Sequence, residues 1–290
     1  MPSSAIDGPS GGLTQSDSTV GLDIGATKWL VVTGDRAAIN LEGVIHQDPR
    51  RTLTEIKIAL EQAALQVQRL GCSFAGAVDD EGCVSGWPNR PSWRGFQLAR
   101  HLKNCAKSGE VTIEDDGVCA AIGELTTARL RGFKNVLCVT FGTGIGSGLV
   151  LDGRLRRPVR GQPRSLGHFR VGLDVKCRCG SMGCLQAAVL GPGSSSRRRV
   201  HKIPLDGPGM RRLSEVVADF ALMMDLDAVV LTGGLLGHLP ELKAAITRGI
   251  TQELRSDSCR VIAADRPAYS AALGAYALAG GWQDGSISGR

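Results

Sequence analysis

Short apolar runs that end in glycine turns alternate along the chain with segments whose apolar residues recur at helical spacing. The stretch "TVGLDIGATKWLVVTGD" predicts a strand, a glycine turn and a second strand from Trp29, which together form a β-hairpin. The segment 52–66 predicts a helix that Thr52 or Thr54 caps. Beyond it, the periodicity leaves two interpretations open: the helix continues, or a strand leads toward "CSFAG".

The hairpin pattern occurs a second time, in "NVLCVTFGTGIGSGLVLDGRL". The first hairpin is followed by the predicted helix "QLARHLKNCAKSG", the strand "VTIE" and the helix "GVCAAIGELTTARL". The second is followed by the helix "RRLSEVVADFALMM", the strand "AVVLT", the glycine turn "GGLLG", a helix from about Leu239, the strand "RVIAA" and the helix "SAALGAYALAG". This repetition predicts a duplicated α/β fold of two lobes, 19–129 and 130–290, around a central cleft. The last helix is expected to pack back on the first lobe.

The composition predicts a folded chain with one polar leader. Of the 290 residues, 42% are hydrophobic, which is enough for a sizeable core, whereas residues 1–18 are rich in Gly, Ser and Pro and predict a disordered leader. The stretch between Gly191 and Gly209 predicts a loop. No run is long and apolar enough for a membrane span, and the N-terminus lacks a secretory pattern. We therefore expect a cytoplasmic protein without a membrane partner.

The net charge of +6 comes from arginines that cluster in two places, 154–164 and 197–199. Basic clusters of this kind occur in nucleic-acid binders, but those also interleave aromatic residues, which make up only 4% of this chain. The pattern favours solvated loops. We expect no nucleic-acid partner.

The two glycine turns are candidate phosphate sites. Glycine lets backbone N–H groups approach phosphate oxygens closely. In "DIGATK", Asp23 is a candidate to hold Mg²⁺ through water, while Thr27 and Lys28 are candidates to bind phosphate. In "GTGIGSG", Thr143 and the backbone around Gly144 would hold the rest of a polyphosphate. Neither turn is a Walker A loop or a Rossmann fingerprint, and it is their pairing that indicates a nucleotide clamp.

The segment "IEDDGVC" offers a catalytic carboxylate. Asp115 and Asp116 follow a predicted buried strand and open a helix, at the mouth of an open α/β sheet. We interpret Asp115 as the cap of that helix and Asp116 as the candidate general base for phosphoryl transfer to an alcohol.

The stretch "SLGHFRVGLDVKCRCGSMGC" has the ligand spacing of a metal site. Glycines at 180 and 183 allow the chain to turn sharply between its cysteines. In a reducing compartment, clustered thiols are metal ligands more often than disulfides, and neighbouring Cys-x-Cys thiols pair poorly. The spacing predicts a structural Zn²⁺ held in a loop, 165–186, by four ligands: His168, Cys177, Cys179 and Cys184. The other six cysteines are interpreted as small buried hydrophobic residues.

Taken together, these motifs resemble the ROK family of sugar kinases, which belong to the actin-like, hexokinase-like ATPases. The segments that carry the resemblance are "LDIGATK", "GAVDDEGCVSGWPNRPSW", "IEDDGVCAAIGE", "VTFGTGIGSGLVLDGRL", "LGHFRV", "CRCGSMGCLQ", "VVLTGGLLG" and "ALGAYALA". The resemblance implies two lobes that close over a cleft, ATP and Mg²⁺ on the glycine turns, transfer of the γ-phosphate to a sugar hydroxyl, and a homodimer.

The resemblance also implies roles for particular residues. Asn89 and Asp116 would bind the sugar, and Asp116 would deprotonate the attacking hydroxyl. His168 would be both a zinc ligand and a neighbour of the sugar, so the zinc loop would shape the sugar pocket. Gly233 and Gly234 would approach the adenosine. The implied nucleotide site as a whole comprises Asp23, Gly25, Thr27, Lys28, Gly142, Thr143, Gly144, Gly233 and Gly234.

The chain departs from the family pattern in the sugar pocket. Ser165 and Gln186 stand where the family has glutamates that accept hydrogen bonds from sugar hydroxyls, and "EDDGV" stands where the family has "ENDAN". The connection after Gln186, 187–225, is also shorter than the family's and lacks helical material near the adenine side. We expect catalysis to be retained and the sugar preference, with Ser165 and Gln186 still lining the pocket, to move away from plain glucose.

The expected activity is phosphorylation of the primary hydroxyl of a hexose or amino-hexose, with kanosamine in an actinobacterial antibiotic pathway as the favoured acceptor. A glucokinase, an N-acetylmannosamine kinase and a cyclitol kinase are the alternatives within the same class. From a different class, the family's sugar-sensing regulators are an alternative, but they carry an N-terminal helix-turn-helix domain, for which 18 residues are too few.

Overall fold

The computed structural model describes residues 19–33, 41–157, 165–192, 203–254 and 259–283. The predicted leader 1–18, most of the predicted loop between Gly191 and Gly209, and the arginines at 160, 164 and 197–199 lie outside the described residues.

The first hairpin is the centre of a five-stranded sheet. β1 pairs antiparallel with β2, with Ile24 opposite Trp29, and β1, β4 and β7 run parallel. The strand order is β3-β2-β1-β4-β7. Parallel strands end at one edge of the sheet, so Asp23 and the residues that follow β7 meet there. The strands are β1 Thr19–Ile24, β2 Lys28–Thr33, β3 Leu41–Val44, β4 Arg69–Phe74 and β7 Glu110–Asp115. The separate β5 Ala77–Val78 and β6 Val84–Gly86 form a small hairpin.

The second hairpin builds a sheet with the same topology. β8 pairs antiparallel with β9, while β8, β11 and β12 run parallel, in the order β10-β9-β8-β11-β12. The predicted duplication is therefore confirmed strand by strand. The strands are β8 Val136–Phe141, β9 Ile145–Leu151, β10 Arg154–Leu155, β11 Ala228–Thr232 and β12 Arg260–Ala263.

Helices cover both sheets and bury their apolar faces against them. Among the described residues, the helices are α1 Pro49–Gln62, α2 Leu98–Lys103, α3 Asp116–Leu125, α4 Leu185–Leu190, α5 Pro208–Met223, α6 Gly234–His238, α7 Pro240–Glu253 and α8 Ser270–Ala279. No helix in the described part of the chain has the length and apolar character needed to cross a membrane.

The two halves exchange helices. α3 follows the first sheet in the chain but packs in one cluster with Val136, Cys138 and Val150 of the second sheet. α8 follows the second sheet but packs on β1, β2 and β4 of the first. The two helices cross so closely that a Cβ atom on Gly274 would overlap the backbone carbonyl oxygen of Cys119. The predicted division at residues 129 and 130 thus separates two halves that share a helix pair.

Four predicted features need correction. α1 begins at Pro49 rather than at 52, because the Asp48 carboxylate caps it by accepting from the N–H of Arg50 at 2.9 Å and proline favours the first helical position. α1 ends at Gln62, so the open choice after it is resolved in favour of a strand, β4. α3 ends at Leu125, where the Thr126 and Thr127 hydroxyls donate to the carbonyl oxygens of Gly123 and Glu124 in the last turn. The predicted glycine turn "GGLLG" is a single turn residue followed at once by α6.

Candidate active site

A cleft of about 740 Å³ lies between the two sheets, at the carboxyl ends of their parallel strands. Almost all of the predicted site residues line it, so sequence motifs from 23 to 234 converge on one space. Lining residues include Asp23, Gly25, Thr27, Lys28, Asn89, Asp116, Gly142, Thr143, Gly144, Ser165, His168, Cys177, Cys179, Gln186, Gly233 and Gly234. Cys184 is buried behind the wall of the cleft.

Asp23 stands at the end of β1 on the floor of the cleft. The Ser73 hydroxyl donates to its Oδ1 at 2.7 Å. Burial raises the pKa of Asp23 to about 6, against the lowering effects of Ser73 and Lys28. A carboxylate held partly out of water beside a glycine turn has the chemistry of a cation ligand. Ser73 was not identified from the sequence, where it reads as one more residue of a buried strand.

Asp116 is the first residue of α3 and shares the cleft with Asp23. Burial is the largest cause that raises the pKa of Asp116, and the charge of Asp23 is the next. Asp115 caps α3, because its Oδ1 accepts from the N–H groups of Gly117 at 3.0 Å and Val118 at 3.2 Å. The predicted cap is confirmed, and Asp116 is left with its carboxylate on the cleft.

The glycine turns are closed partly by their own N–H groups. The Gly25 N–H donates to the Lys28 carbonyl at 3.1 Å, and the Gly142 N–H donates to the Gly144 carbonyl at 2.9 Å. These two N–H groups set the shape of the turns rather than point into the cleft. The Lys28 ammonium pairs with Glu42 of β3 at 3.0 Å, so in this structure it is turned toward the neighbouring strand and not toward a phosphate.

The Gly233 turn forms the far wall of the cleft. Gly233 has a φ of +104°, and its N–H donates to the Pro267 carbonyl at 3.0 Å. A hydrogen-bonded chain supports this wall from behind: Thr232 Oγ1 lies 2.6 Å from Ser270 Oγ, which donates to Glu124 at 2.5 Å. Sequence reasoning missed this chain because its members come from β11, α8 and α3 and share no motif.

The four predicted metal ligands come together. The candidate ligand atoms of His168, Cys177, Cys179 and Cys184 all lie within 4.8 Å of one another. The Cys179 and Cys184 sulfurs are 3.7 Å apart. Two thiolates on a tetrahedral zinc, with bonds of about 2.3 Å, stand about 3.8 Å apart, so the spacing fits that ion. All nine cysteines are free thiols, so the cluster is not a disulfide knot.

Glycines shape the turns of the cysteine loop. Gly180 and Gly183 have φ values of +93° and +75°, which side chains rarely adopt. These turns bring Cys177, Cys179 and Cys184 together, as their spacing predicts.

One end of the cleft is bounded by Asn89 and the cysteine loop, 165–186. Arg178, between two of the cysteines, donates from Nη1 to Asn89 Oδ1 at 3.0 Å and so joins the two sides of the cleft. Ser165 and Gln186 line the cleft, but their polar atoms are engaged with the backbone of Ile145. Arg178 was missed because nothing in the Cys-x-Cys spacing distinguishes its middle residue.

Comparison with known proteins identifies the family. The ROK family profile matches residues 19–204, and the chain belongs to the ROK family. The kanosamine kinase of Amycolatopsis mediterranei is 30% identical over 251 residues, which are 76% of this chain and 79% of that protein. A glucokinase of Streptomyces coelicolor is 33% identical over 178 residues, 57% of this chain and 54% of that protein.

The fold agrees with this assignment. A ROK family glucokinase from Streptomyces griseus, solved in complex with glucose and AMPPNP, superposes with a TM-score of 0.72 at 25% identity and covers 91% of this chain and 99% of that one. The chain therefore has the architecture of ROK sugar kinases, and the predicted resemblance is confirmed.

Proposed function

We propose that this protein is an ATP-dependent kinase that transfers the γ-phosphate to the primary hydroxyl of a hexose or amino-hexose. One observation carries the proposal: the Asp116 carboxylate, with its raised pKa, faces the same cleft as Asp23 and both glycine turns. A proton acceptor beside a phosphate site is what phosphoryl transfer to an alcohol requires.

The step conserves atoms and charge. Asp116 takes the proton of the sugar hydroxyl, and the hydroxyl oxygen forms a bond to the γ-phosphorus. The bond from that phosphorus to the bridging oxygen breaks, and ADP leaves with the electron pair. The products are the sugar phosphate and ADP, and the proton on Asp116 then passes to solvent.

The nucleotide would lie along the two glycine turns, with its adenosine toward Gly233 and Gly234. Mg²⁺, when bound, would offset the charge of the phosphates. Asp23 would hold it, through water, and the bond from Ser73 that fixes its carboxylate near the end of β1 supports this role. Thr27 and Thr143 are the side chains in the two turns that would donate to phosphate.

The cysteine cluster would hold a structural zinc. Its four candidate ligands are protein side chains, so none of the four positions is left for a reacting group. The ion would supply a crosslink that fixes the loop 165–186 beside the sugar end of the cleft, and it would take no part in the chemical step.

The favoured acceptor is kanosamine. A kanosamine kinase is among the relatives, at 30% identity over 76% of this chain. The family's two pocket glutamates are also absent, since Ser165 and Gln186 replace them. Glucose remains the second candidate acceptor because glucokinases are among the relatives.

A coupled ADP-release assay tests the proposal. Glucose, kanosamine, N-acetylmannosamine, N-acetylglucosamine and valiolone are compared by kcat/KM. Kanosamine should give the highest value, and an equal or higher value for glucose would overturn the acceptor. Sugar binding without turnover of any acceptor would instead support a sugar-sensing regulator.

An Asp116→Asn variant tests the base. Turnover should fall by about 10² to 10⁴-fold while sugar binding persists, because only the proton acceptor is lost. Asp219→Asn is the matched control, since this exposed carboxylate on α5 lies away from the cleft. Near-normal turnover in Asp116→Asn would show that the base lies elsewhere.

A further inference from the structure

We infer that Ser165 and Gln186 are positioning residues that fix the second glycine turn to the cysteine loop, and that they act on nucleotide binding rather than on sugar recognition. The inference rests on the proposed binding of ATP at that turn. Ile145, the first residue of β9, directly follows the turn 142–144.

Residues at the two ends of the cysteine loop form hydrogen bonds with the backbone of Ile145. Gln186 Oε1 accepts from the Ile145 N–H at 3.2 Å, and the Ser165 hydroxyl donates to the Ile145 carbonyl oxygen. β8 lies on one side of Ile145, with Phe141 opposite it. On the other side of β9, β10 pairs only with Val150 and Leu151, so among the described residues no strand pairs with Ile145 on that side. A buried edge must still satisfy its N–H and C=O groups, and these two side chains do so.

Gln186 makes a second contact, to the cysteine cluster. Its amide Nε2 donates to the Cys177 sulfur at 3.2 Å. The side chain therefore faces a donor on one side and a sulfur acceptor on the other, and an amide serves both, whereas an ionised carboxylate can only accept. A glutamate in this place would accept from Ile145 but would set a negative oxygen against the thiolate.

The Ser165 hydroxyl likewise donates one hydrogen bond and accepts another. Its oxygen accepts from the Gly167 N–H at 3.2 Å while its hydrogen goes to the Ile145 carbonyl. An ionised glutamate has no hydrogen to donate to a carbonyl oxygen. The neighbouring Leu166 N–H donates to Ser147 Oγ at 2.9 Å, so two contacts, from Ser165 and Leu166, fasten this end of the loop to β9.

The glycine turn lies directly against Gln186. A Cβ atom added to Gly144 would be 2.6 Å from Gln186 Oε1. Because the amide touches Gly144, Ile145 and Cys177 together, a shift of the cysteine loop moves the turn. Disorder in the cysteine cluster should therefore disturb the proposed phosphate site through the single side chain of Gln186.

Gln186→Glu is the variant that separates the two roles. It keeps the size of the side chain and the bond from Ile145, but it replaces the donor to Cys177 with a negative charge. We expect the metal affinity, measured by competition with a chromogenic chelator, to fall about tenfold. We also expect the Kd of a non-hydrolysable ATP analogue to rise by about three- to tenfold, with little change in the Kd of the sugar. Gln62→Glu makes the same chemical change at an exposed position of α1 and should alter neither.

Ser165→Ala and Ser165→Thr give an independent pair of variants. The alanine loses the donor to Ile145 and should weaken ATP-analogue binding, whereas threonine retains the hydroxyl and should restore it. The extended backbone of Ser165, with φ −119° and ψ 132°, accepts a β-branched residue.

The outcomes distinguish this inference from the proposed function. Weakened sugar binding in Gln186→Glu, with metal release and ATP-analogue affinity unchanged, would overturn the positioning role and return Gln186 to the sugar pocket. A wild-type protein that binds no ATP analogue would overturn the proposed kinase function itself.

Discussion

At the scale of single residues, the pKa of Asp116 sets the pH at which the proposed base is ready. Burial, and then the charge of Asp23, raise this pKa to about 7. A base must be ionised before it accepts a proton, and a raised pKa means that ionisation occurs only as the pH rises through that value. We therefore expect kcat/KM for the sugar to increase with pH up to about 7 and to level off above it.

The pH dependence is measured by ADP release at saturating ATP, with the stability of the coupling enzymes checked at each pH. The exposed-site variant Asp219→Asn should show the wild-type profile. An activity that is flat down to the ordinary aspartate pKa of about 3.9 would contradict the role given to the burial of Asp116.

Residue types in a motif predict which side chains meet, but not where each one points. The convergence of Asp23, Asp116 and the glycine turns follows from strand order, which the repeated hairpin pattern reveals. The pairing of Lys28 with Glu42 depends on β3, a short strand that the sequence pattern did not reveal. Gln186 likewise turns toward Ile145 and Cys177, contacts made across the fold rather than along the chain.

At the scale of elements, we expect the order of the cysteine loop to depend on the zinc that is proposed for it. Cys179 is exposed, so the exchange of its sulfur for oxygen alone should cost little packing energy. If the thiol binds zinc, Cys179→Ser should release the metal and lower the melting temperature together, because site and loop fold as one unit.

Metal analysis and thermal unfolding of the same sample test this expectation. Cys259→Ser changes a partly buried thiol outside the cluster and should leave the metal content unchanged. Unchanged melting of Cys179→Ser, together with no zinc in the wild type, would refute the metal site.

Elements with strong periodicity were predictable, and elements held by tertiary contacts were not. Both hairpins and the long helices follow from apolar spacing within one segment. The start of α1 depends on an Asp-Pro pair that lies outside the apolar pattern. The two-residue strands β5 and β10 have too few positions to show any period. Each is defined by its pairing with a partner strand, β6 or β9.

At the scale of the whole molecule, the exchange of α3 and α8 ties the two halves together at the site. α3 begins with Asp116, and α8 begins at Ser270, beside the wall of the cleft formed by Gly233 and Pro267. The packing of this one helix pair therefore sets the position of the proposed base relative to the proposed nucleotide. Arg178 makes a second link at the opposite end of the cleft, through Asn89.

Gly274→Ala tests whether the helix pair holds both halves. The new methyl group would overlap the Cys119 carbonyl oxygen, and neither backbone can yield without separation of the helices. We expect the free energy of unfolding to fall by about 1 to 3 kcal/mol. Since each half buries a helix from the other, unfolding should remain a single transition in calorimetry. Gly280→Ala, at the end of the same helix, meets only atoms of its own last turn and serves as the control. Two separate transitions, with only one displaced by Gly274→Ala, would show that the halves fold independently and that α3 and α8 do not join them.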